Sequence, residues 1–247
     1  MGLLKTDIRE WRSPTMKEIR ALISALGRRR LSVPQFQKEV LRVYREGSLW
    51  TQLGPLIEDC LTRKRDAILW REIMATRNFT LQLLYMAPNT AHPPHYHFNH
   101  VSTQLVMAGR MRAREYERLT LINQDSVTLM PVYDGIHEVG DTMQTTEFRR
   151  NVHWFAALSE PTVFLNFNLH GLEQETFEPD IGQHKGRNTI DPTIGGNEHH
   201  IIGRKIDVHK AETKFAHRAI DDFPLIIPVK KNTRPQRVSP LSRKKLT

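Results

Sequence analysis

Four histidines fall within nine residues of this 247-residue chain, in the segment HPPHYHFNH at 92–100. His95 and His97 are two residues apart, so on a β-strand their imidazole rings point to the same face. Two imidazoles on one face can bind one divalent metal ion, because neutral histidine is a common metal ligand. The spacing leaves open that the pair are polar residues at a sheet edge. His137 is the candidate third ligand, because it follows the turn-like sequence PVYDG at the start of a predicted strand.

His92 and His100 are each three residues from the nearest member of this pair, which does not fit the two-residue period of a strand. We therefore expect His92 to be a loop residue and neither of the two to contact a metal. Gln104 shares strand parity with Ser102. It either lines a pocket or is an inward-facing polar residue whose hydrogen bonds are satisfied within the protein.

The first 66 residues have the apolar spacing of α-helices and are predicted to pack on the rest of the domain. Thr15 and Glu18 predict a capping box for the first helix, and Gly27 and Gly47 are predicted to end the first and second helices. A third helix is predicted over Leu49–Thr62.

From residue 67 the sequence changes to short apolar or alternating segments separated by turn residues, which is typical of strands. Short strands at regular intervals predict a closed barrel or a two-sheet jelly roll over 67–171. The predicted strands are Ala67–Met74, Phe79–Met86, Thr103–Ala108, Met111–Leu119, Ser126–Met130, His137–Val139, His153–Leu158 and Val163–Asn168.

The C-terminal part is predicted to be less regular. Residues 172–228 form a loop-rich extension, in which 172–200 is predicted to be a long loop and Ile201–Phe223 a short ordered element. Residues 229–247 are predicted to be a basic, disordered tail because of their charge and their Pro and Ser content.

The net charge of the chain is +9, and basic residues concentrate in GRRR at 27–30 and in the C-terminal tail. No aromatic interleaving or recognition motif accompanies this charge, so we do not expect nucleic-acid binding. No apolar run has the length of a membrane span. The first residues carry charges where a signal peptide needs an apolar region, and Cys60 is the single cysteine, so we expect a cytoplasmic protein.

The histidine spacing resembles the metal-binding motifs of the cupin superfamily. The first cupin motif is H-x-H, a glutamate, six residues and a glycine; this chain has HYH at 95–97 and then Gly109, with Ser102 at the glutamate position. The second motif is a Pro–Gly turn followed by a histidine, and PVYDGIH ends at His137. The resemblance implies a mainly β fold, the cupin double-stranded β-helix (jelly-roll barrel) with an N-terminal helical segment, and a metal site of the H-x-H pair and His137.

Within the cupins, a missing carboxylate ligand is typical of the thiol dioxygenases, and further segments resemble that branch. GIHEV at 135–139 is similar to its second motif, and His153 falls near the position of a histidine in its pocket. The segment before the first motif is also similar, and Arg71 corresponds to its substrate-binding arginine. The resemblance implies that His153 hydrogen-bonds oxygen or substrate and that Arg71 holds a substrate carboxylate. The chain departs from the branch at Phe155, where a tyrosine is usual.

The implied activity is that of a non-haem Fe(II) dioxygenase that adds O2 to a small thiol or a related carboxylate-bearing substrate. Three neutral imidazoles leave the ion its full charge and open positions for an anionic ligand. Zn, Ni and Mn are alternative metals, and a Zn or Ni cupin would act as an isomerase, lyase or hydrolase. A non-catalytic cupin that binds a small ligand also stays open, and a homodimer formed through an edge strand is compatible with each alternative.

Arg110, Arg112 and Arg114 alternate with other residues and therefore share one face of a predicted strand. They form either an anion-binding wall, which would be a rival to Arg71, or a solvated sheet face.

Overall fold

The structure, a computed structural model, describes residues 13–45, 48–62, 68–76, 78–171, 187–225, 227–229 and 236–237. In chain order its elements are α1 (Pro14–Gly27), α2 (Val33–Arg45), α3 (Ser48–Thr62), β1 (Leu69–Thr76), β2 (Phe79–Met86), β3 (Ala91–His97), β4 (His100–Ala108), β5 (Met111–Asn123), β6 (Ser126–His137), β7 (Asp141–Thr145), β8 (Val152–Ala157), β9 (Thr162–His170), β10 (Arg187–Asp191), β11 (Ile201–Ile206), α4 (Val208–Phe215), a short 3-10 helix (Ile220–Asp222) and β12 (Gln236–Arg237). Among these helices none is long and apolar enough to cross a membrane.

The N-terminal helices are present as predicted, but α1 is capped by a different residue. The side chain of Ser13 accepts a hydrogen bond from the backbone N–H of Met16 at 3.2 Å, so the N-cap is Ser13 and not Thr15. Gly27 is the last residue of α1, as expected. Gly47, predicted to end the second helix, lies outside the described residues.

The strands form two antiparallel sheets. One has the order β1-β2-β9-β4-β7-β12, and the other closes on itself as β10-β11-β6-β5-β8-β3. The predicted mainly β, jelly-roll architecture is confirmed. The barrel does not end at residue 171, however, because β10 and β11 complete the second sheet by pairing with β3 and β6. β10 lies in the segment predicted to be a long loop, where Asp, Gly and Asn residues surround its five residues.

β6 runs through the segment that predicted a turn. It pairs with β5 along its whole length, with a bulge at Val132 beside Pro131. Proline has no N–H for the strand ladder, and the extra residue of a bulge accommodates that gap. PVYDG is therefore part of a bulged strand. The predicted strand His137–Val139 is in fact the end of β6, and the next strand is β7.

Alternating side chains of the six-stranded sheet separate the helices from the barrel interior. On β2, Leu81 and Leu83 pack in the same hydrophobic core as the three helices, whereas Gln82 and Leu84 line or approach the interior cavity. Gln37 of α2 fixes the helices to the sheet by donating from Nε2 to backbone carbonyls of β4 at 3.0 Å and of β7 at 3.2 Å. The helical layer thus supports the sheet from outside.

Only a small part of the basic tail 229–247 belongs to the described residues. There Gln236 and Arg237 form β12, which pairs with β7. The predicted disorder of the remaining tail falls outside the described residues and stays a prediction.

Candidate metal centre

β3 presents three histidines to the barrel interior because a bulge corrects their spacing. His92 faces Phe155 of β8 and His95 faces His153, so a three-residue step on β3 matches a two-residue step on β8. The Pro–Pro sequence between the two histidines lacks the N–H groups of a regular ladder, which favours this irregularity. His97 then follows at the normal strand period, so all three β3 histidines share the inner face.

His153 completes a cluster with His95 and His97. The ligand nitrogens of the three side chains all lie within 4.8 Å of one another. The ring centroids of His95 and His153 are 4.3 Å apart, and those of His95 and His97 are 5.0 Å apart. His95 and His153 are direct partners across β3 and β8, so backbone pairing sets their separation. Three converging imidazole nitrogens suit Fe, Zn or Ni.

The imidazoles of this cluster are neutral near pH 7. Burial lowers the pKa of His153 to about 4 and the pKa values of His95 and His97 well below 6.5, and neighbouring histidines add to the effect on the latter two. A neutral ring keeps the lone pair that a metal needs. Nδ1 of His95 lies 2.8 Å from the carbonyl oxygen of Pro93 and donates to it, which leaves Nε2 as the ligand atom.

Asn151 takes the place of a strand partner for His97 on its β8 side, since β10 pairs with His97 on the other side. Its Oδ1 accepts a hydrogen bond from the His97 backbone N–H at 2.9 Å, and its Nδ2 donates to the His97 carbonyl oxygen at 2.9 Å. The same Nδ2 donates to the carbonyl oxygens of Thr146 and Glu147. Asn151 thereby ties the end of β3 to the turn before β8 and holds the His97 backbone in position.

A buried carboxyl group lies one strand away from the cluster. Glu115 of β5 is the register partner of His153, and its Oε2 accepts a hydrogen bond from Nη1 of Arg150 at 3.2 Å. Burial raises the pKa of Glu115 to about 7, against the opposing effect of Arg150. Its oxygens do not join the converging ligand atoms found among the described residues.

The structure does not bring His137 to the cluster. Its ring stacks on Tyr133 with centroids 4.5 Å apart, in the apolar part of the barrel. Burial lowers the pKa of His137 to about 3, and neither ring nitrogen has a hydrogen-bond partner in the described part of the chain. In the structure His153, and not the predicted His137, converges with His95 and His97, because the β6 histidine is at the end of a continuous strand rather than beyond a turn.

Arg71 lies on the helix side of the six-stranded sheet and not in the cavity. Its register partner is Leu83, which packs against the helices. The Arg71 guanidinium pairs with the carboxylate of Asp59 on α3 at 2.5 Å. The predicted carboxylate clamp is corrected accordingly: strand parity turns Arg71 outward, where it ties β1 to α3.

Substitution of Arg71→Gln is expected to affect stability slightly and binding not at all. Because the ion pair is partly exposed, its loss is expected to lower the free energy of unfolding by about 1 kcal/mol or less. Urea unfolding and zinc titration of the same preparations test this prediction. Normal stability with weakened binding of small carboxylates would contradict it and return Arg71 to the site.

The histidine cluster lines a cavity of ≈ 250 Å³ between the two sheets. The opposite wall comes from the six-stranded sheet, and it is polar at the end near His100 and apolar at the end near Phe164. Its members are Thr80, Gln82, Gln104, Asn166 and Asn168, with His100 and His170 at one end and Leu84 and Phe164 at the other. Of the two interpretations of Gln104, the structure supports the one in which it lines the pocket.

His100 faces the cavity, contrary to expectation. Its ring stacks on His97 with centroids 4.3 Å apart, and its Nδ1 lies 3.4 Å from Nδ1 of His170. Asn99 has a positive φ of 46° and lies where the chain passes from β3 in one sheet to β4 in the other. The turn resets the alternation of side chains, so counting residues from His97 does not predict the direction of His100.

Arg187 is a cationic wall residue that sequence reasoning missed. Its Nη1 donates a hydrogen bond to Nε2 of His92 at 2.6 Å. His92 is therefore a strand residue that lines the cavity, and not the predicted loop residue, and its Nε2 is occupied by this hydrogen bond. Burial lowers the pKa of Arg187. No local motif marks this arginine, since it comes from a segment predicted to be a loop. The available signal was the short alternating sequence RNTID that forms β10.

Phe155 and Ser102 occupy the positions at which the sequence comparison places a tyrosine and a glutamate. Phe155 stacks on His153 with centroids 5.0 Å apart and belongs to the apolar end of the cavity wall. The Ser102 hydroxyl lies 3.0 Å from the hydroxyl oxygen of Thr145. Neither position offers a phenol or a carboxylate to a ligand in the cavity.

The arginine row of β5 does not face the cavity either. Nε of Arg114 pairs with Asp134 at 3.1 Å, and Nη2 of Arg112 pairs with Asp221 at 2.9 Å. Arg110 forms an exposed ion pair with Glu160. None of these arginines lines the cavity and Arg114 is buried, so the row is neither an anion-binding wall of this site nor a solvated sheet face.

Comparison with known proteins gives weak overall similarity. No protein-family model and no curated protein matches the sequence. The chain is similar to procruciferin, an 11S globulin from Brassica napus, with 14% identity and a TM-score of 0.34 over 43% of this chain and 26% of that one. It is also similar to a protein with a double-stranded β-helix domain from Klebsiella pneumoniae, with 15% identity and a TM-score of 0.33 over 47% of this chain and 87% of that one. The similarity to an oxalate oxidase has 17% identity and a TM-score of 0.34 over 44% of this chain and 54% of that one.

The strand order of the chain itself decides the fold. Two antiparallel sheets flank the inner cavity, and the H-x-H strand and the β8 histidine face into it. The chain has a jelly-roll fold of the double-stranded β-helix type. In this barrel, histidines and amides line one part of the cavity, and Leu84, Phe155 and Phe164 line its apolar part.

Proposed function

We propose that this protein is a metal-dependent cupin oxidoreductase, a non-haem Fe(II) dioxygenase acting with O2 on a small thiol or a related carboxylate-bearing substrate. The observation that carries the proposal is the convergence of three neutral imidazoles in a cavity between the two sheets. No carboxylate joins these ligand atoms in the described ranges. Such a set leaves the charge of the ion uncompensated by protein.

The residues present fit a metal ion of this kind. His95, His97 and His153 would hold it, and His95 is oriented by its hydrogen bond to a backbone carbonyl. Bound Fe(II) supplies the one-electron chemistry that O2 activation needs. The protein contributes a cavity whose apolar end, formed in part by Phe155 and Phe164, limits the access of water to the reacting groups.

Fewer residues support a thiol substrate in the structure than in the sequence. Arg71 and His137 carried much of that resemblance, and both lie away from the cavity. What continues to support an anionic substrate is that no acidic ligand joins the cluster among the described residues, since an anion then meets no repulsion from such a carboxylate. Thiols are therefore the first substrates to test, followed by small carboxylates without sulfur.

The test is oxygen consumption by the iron-loaded protein. Protein loaded anaerobically with Fe(II) is expected to consume O2 when a small thiol such as cysteine is added, and serine serves as the sulfur-free control. Zn-loaded protein is expected to consume none, because Zn²⁺ has no redox chemistry. Iron that is bound but supports no oxygen uptake with any small thiol or carboxylate would overturn the proposal.

The same preparations identify the alternatives. Turnover by Zn- or Ni-loaded protein without oxygen would indicate an isomerase, lyase or hydrolase, and ligand binding without turnover would indicate a binding protein. Cytoplasmic location and a homodimer belong to the proposal as well. In the described sheet β1 is a terminal strand, which is the kind of edge through which two copies can pair.

A further inference from the structure

Arg187 lies between two cavities. The inner one is the metal cavity, and an outer one of ≈ 520 Å³ lies between β3 and α4. Both are lined by Trp70, His92 and Arg187. A molecule that enters the inner cavity from this side therefore passes the Arg187 guanidinium.

The guanidinium of Arg187 is positioned to hold an anion. Its Nη1 is held by His92 Nε2 at 2.6 Å, and the His92 ring in turn lies 4.2 Å, between centroids, from that of His95. A guanidinium has five N–H donors in one plane, so the bond to His92 leaves several for a carboxylate. No ion pair of Arg187 with a described residue is formed, although Glu212 acts on it from a distance.

The wall opposite the histidines carries side-chain amides with unmet hydrogen-bonding capacity. Gln104, Asn166 and Gln82 form one row across β4, β9 and β2, and Asn168 lies in the next row. The side-chain oxygens of Gln104, Asn166 and Asn168 are buried and have no hydrogen-bond partner among the described residues. Rotation of an amide about its last bond exchanges its oxygen and nitrogen, so either can meet a ligand.

We propose that the inner cavity selects a small carboxylate that also carries hydroxyl or amino groups, with its carboxylate on Arg187 and these donors on the Gln104–Asn166–Asn168 wall. The inference rests on the proposed function only in treating this cavity as the substrate site. A cavity of ≈ 250 Å³ is smaller than the usual site for a drug-sized ligand, which restricts the substrate to a few heavy atoms. A plain fatty acid would leave the amide oxygens unpaired, and an uncharged polyol would leave Arg187 unpaired.

Propionate, lactate and glycerate form a matched series for this test, because they share a three-carbon carboxylate and differ by hydroxyl groups. Glycerol is the uncharged control. Ligand-observed NMR on metal-free protein is expected to show affinity rising about threefold to tenfold with each hydroxyl, the range of a single net hydrogen bond. Glycerol is expected to bind more weakly than glycerate by at least about tenfold, since the charge-assisted bonds to Arg187 are missing.

Two variants separate the parts of the proposal. Arg187→Gln is expected to weaken all three acids at least about tenfold and to leave glycerol unchanged, whereas Arg110→Gln, in an exposed ion pair elsewhere, leaves the whole series unchanged. Gln104→Leu is expected to reduce the advantage of glycerate over propionate without weakening propionate. Far-UV circular dichroism and zinc binding establish that each variant is folded.

Equal affinity of the three acids would overturn the amide wall, and unchanged binding by Arg187→Gln would overturn the anion position. Absence of measurable binding for all four probes would overturn both. Because these measurements need neither iron nor O2, they succeed or fail independently of oxygen uptake. Normal probe binding without oxygen consumption would reject the dioxygenase and leave the binding preference standing.

Discussion

Substitution of His153→Ala is expected to lower metal affinity by roughly 100-fold or more, and His137→Ala is expected to leave it nearly unchanged. Loss of an outer partner of a ligand alone costs about 10–100-fold, so loss of a direct ligand from a set of three costs at least the upper end of that range. In the part of the chain that the structure describes, His153 is the residue that converges with His95 and His97 within 4.8 Å. Competition of each protein with a coloured chelator for Zn²⁺ measures the effect.

The two substitutions form a matched pair, because both remove a buried histidine from the inside of the barrel. Each is expected to lower the free energy of unfolding, so a general loss of stability does not separate them. His153→Gln serves as a second variant if the alanine protein does not fold. Loss of metal from His137→Ala together with retention by His153→Ala would restore the ligand set inferred from the sequence.

Acid is expected to unfold the metal-free protein well above the pH at which ordinary carboxylates titrate. Six histidines, five of them buried and His97 partly buried, have pKa values lowered chiefly by loss of solvation: His92, His95, His97, His100, His137 and His153. A lowered pKa gives stability that is present above the unfolded value of 6.5 and is lost as the pH falls toward the folded value. For His153, a shift from 6.5 to about 4 corresponds to roughly 3 kcal/mol lost across that interval.

Urea unfolding between pH 7.5 and pH 4.5 measures this loss. Each histidine that is still neutral in the fold is expected to contribute about 1.4 kcal/mol per pH unit below 6.5. Glu115 works in the opposite direction, because its raised pKa favours the fold as the pH falls from about 7 to 4.5. His137→Phe is expected to make the dependence shallower by about one proton. A stability that does not change between pH 6.5 and 4.5 would contradict the neutral, buried state of these histidines.

Metal is expected to extend the stable range to lower pH, because ion and protons compete for the same imidazole nitrogens. Zn²⁺ at saturating concentration is therefore expected to shift the acid midpoint downward for the wild type and for His137→Phe. The His153→Gln protein is expected to show little shift. An equal shift in all three would place the stabilising ion at some other site.

The sequence predicted the fold and part of the site for reasons that are local. The apolar spacing of the helices and the alternation of β2 depend on neighbouring residues only, and β2 was predicted with its observed bounds. The H-x-H pair was likewise a local pattern, and its two rings do share one face. Gln37, which joins a helix to two strands, shows the kind of contact that no local pattern contains.

The errors at the site have a common physical cause, the change of parity at irregular backbone. A bulge after His92, a positive-φ turn before His100 and a second bulge at Val132 each shift the alternation of side chains. Counting residues across these points gives the wrong face. Arg187 was missed for another reason, since its strand is recognised only through pairing with β3.

The bulge in β3 separates the His95–His97 pair, which we propose binds metal, from His92, which contacts the anion-binding Arg187 that we propose. After the bulge, His95 pairs with His153 and the His97 backbone bonds to Asn151. Before the bulge, His92 accepts a hydrogen bond from Arg187. Removal of one residue from the Pro–Pro pair would make the step on β3 equal to the two-residue step on β8, so His92 would keep the inner face without a bulge. Substitution of His92 or Arg187 would therefore change the anion-binding half of the strand that we propose, while the His95–His97 half stays in register.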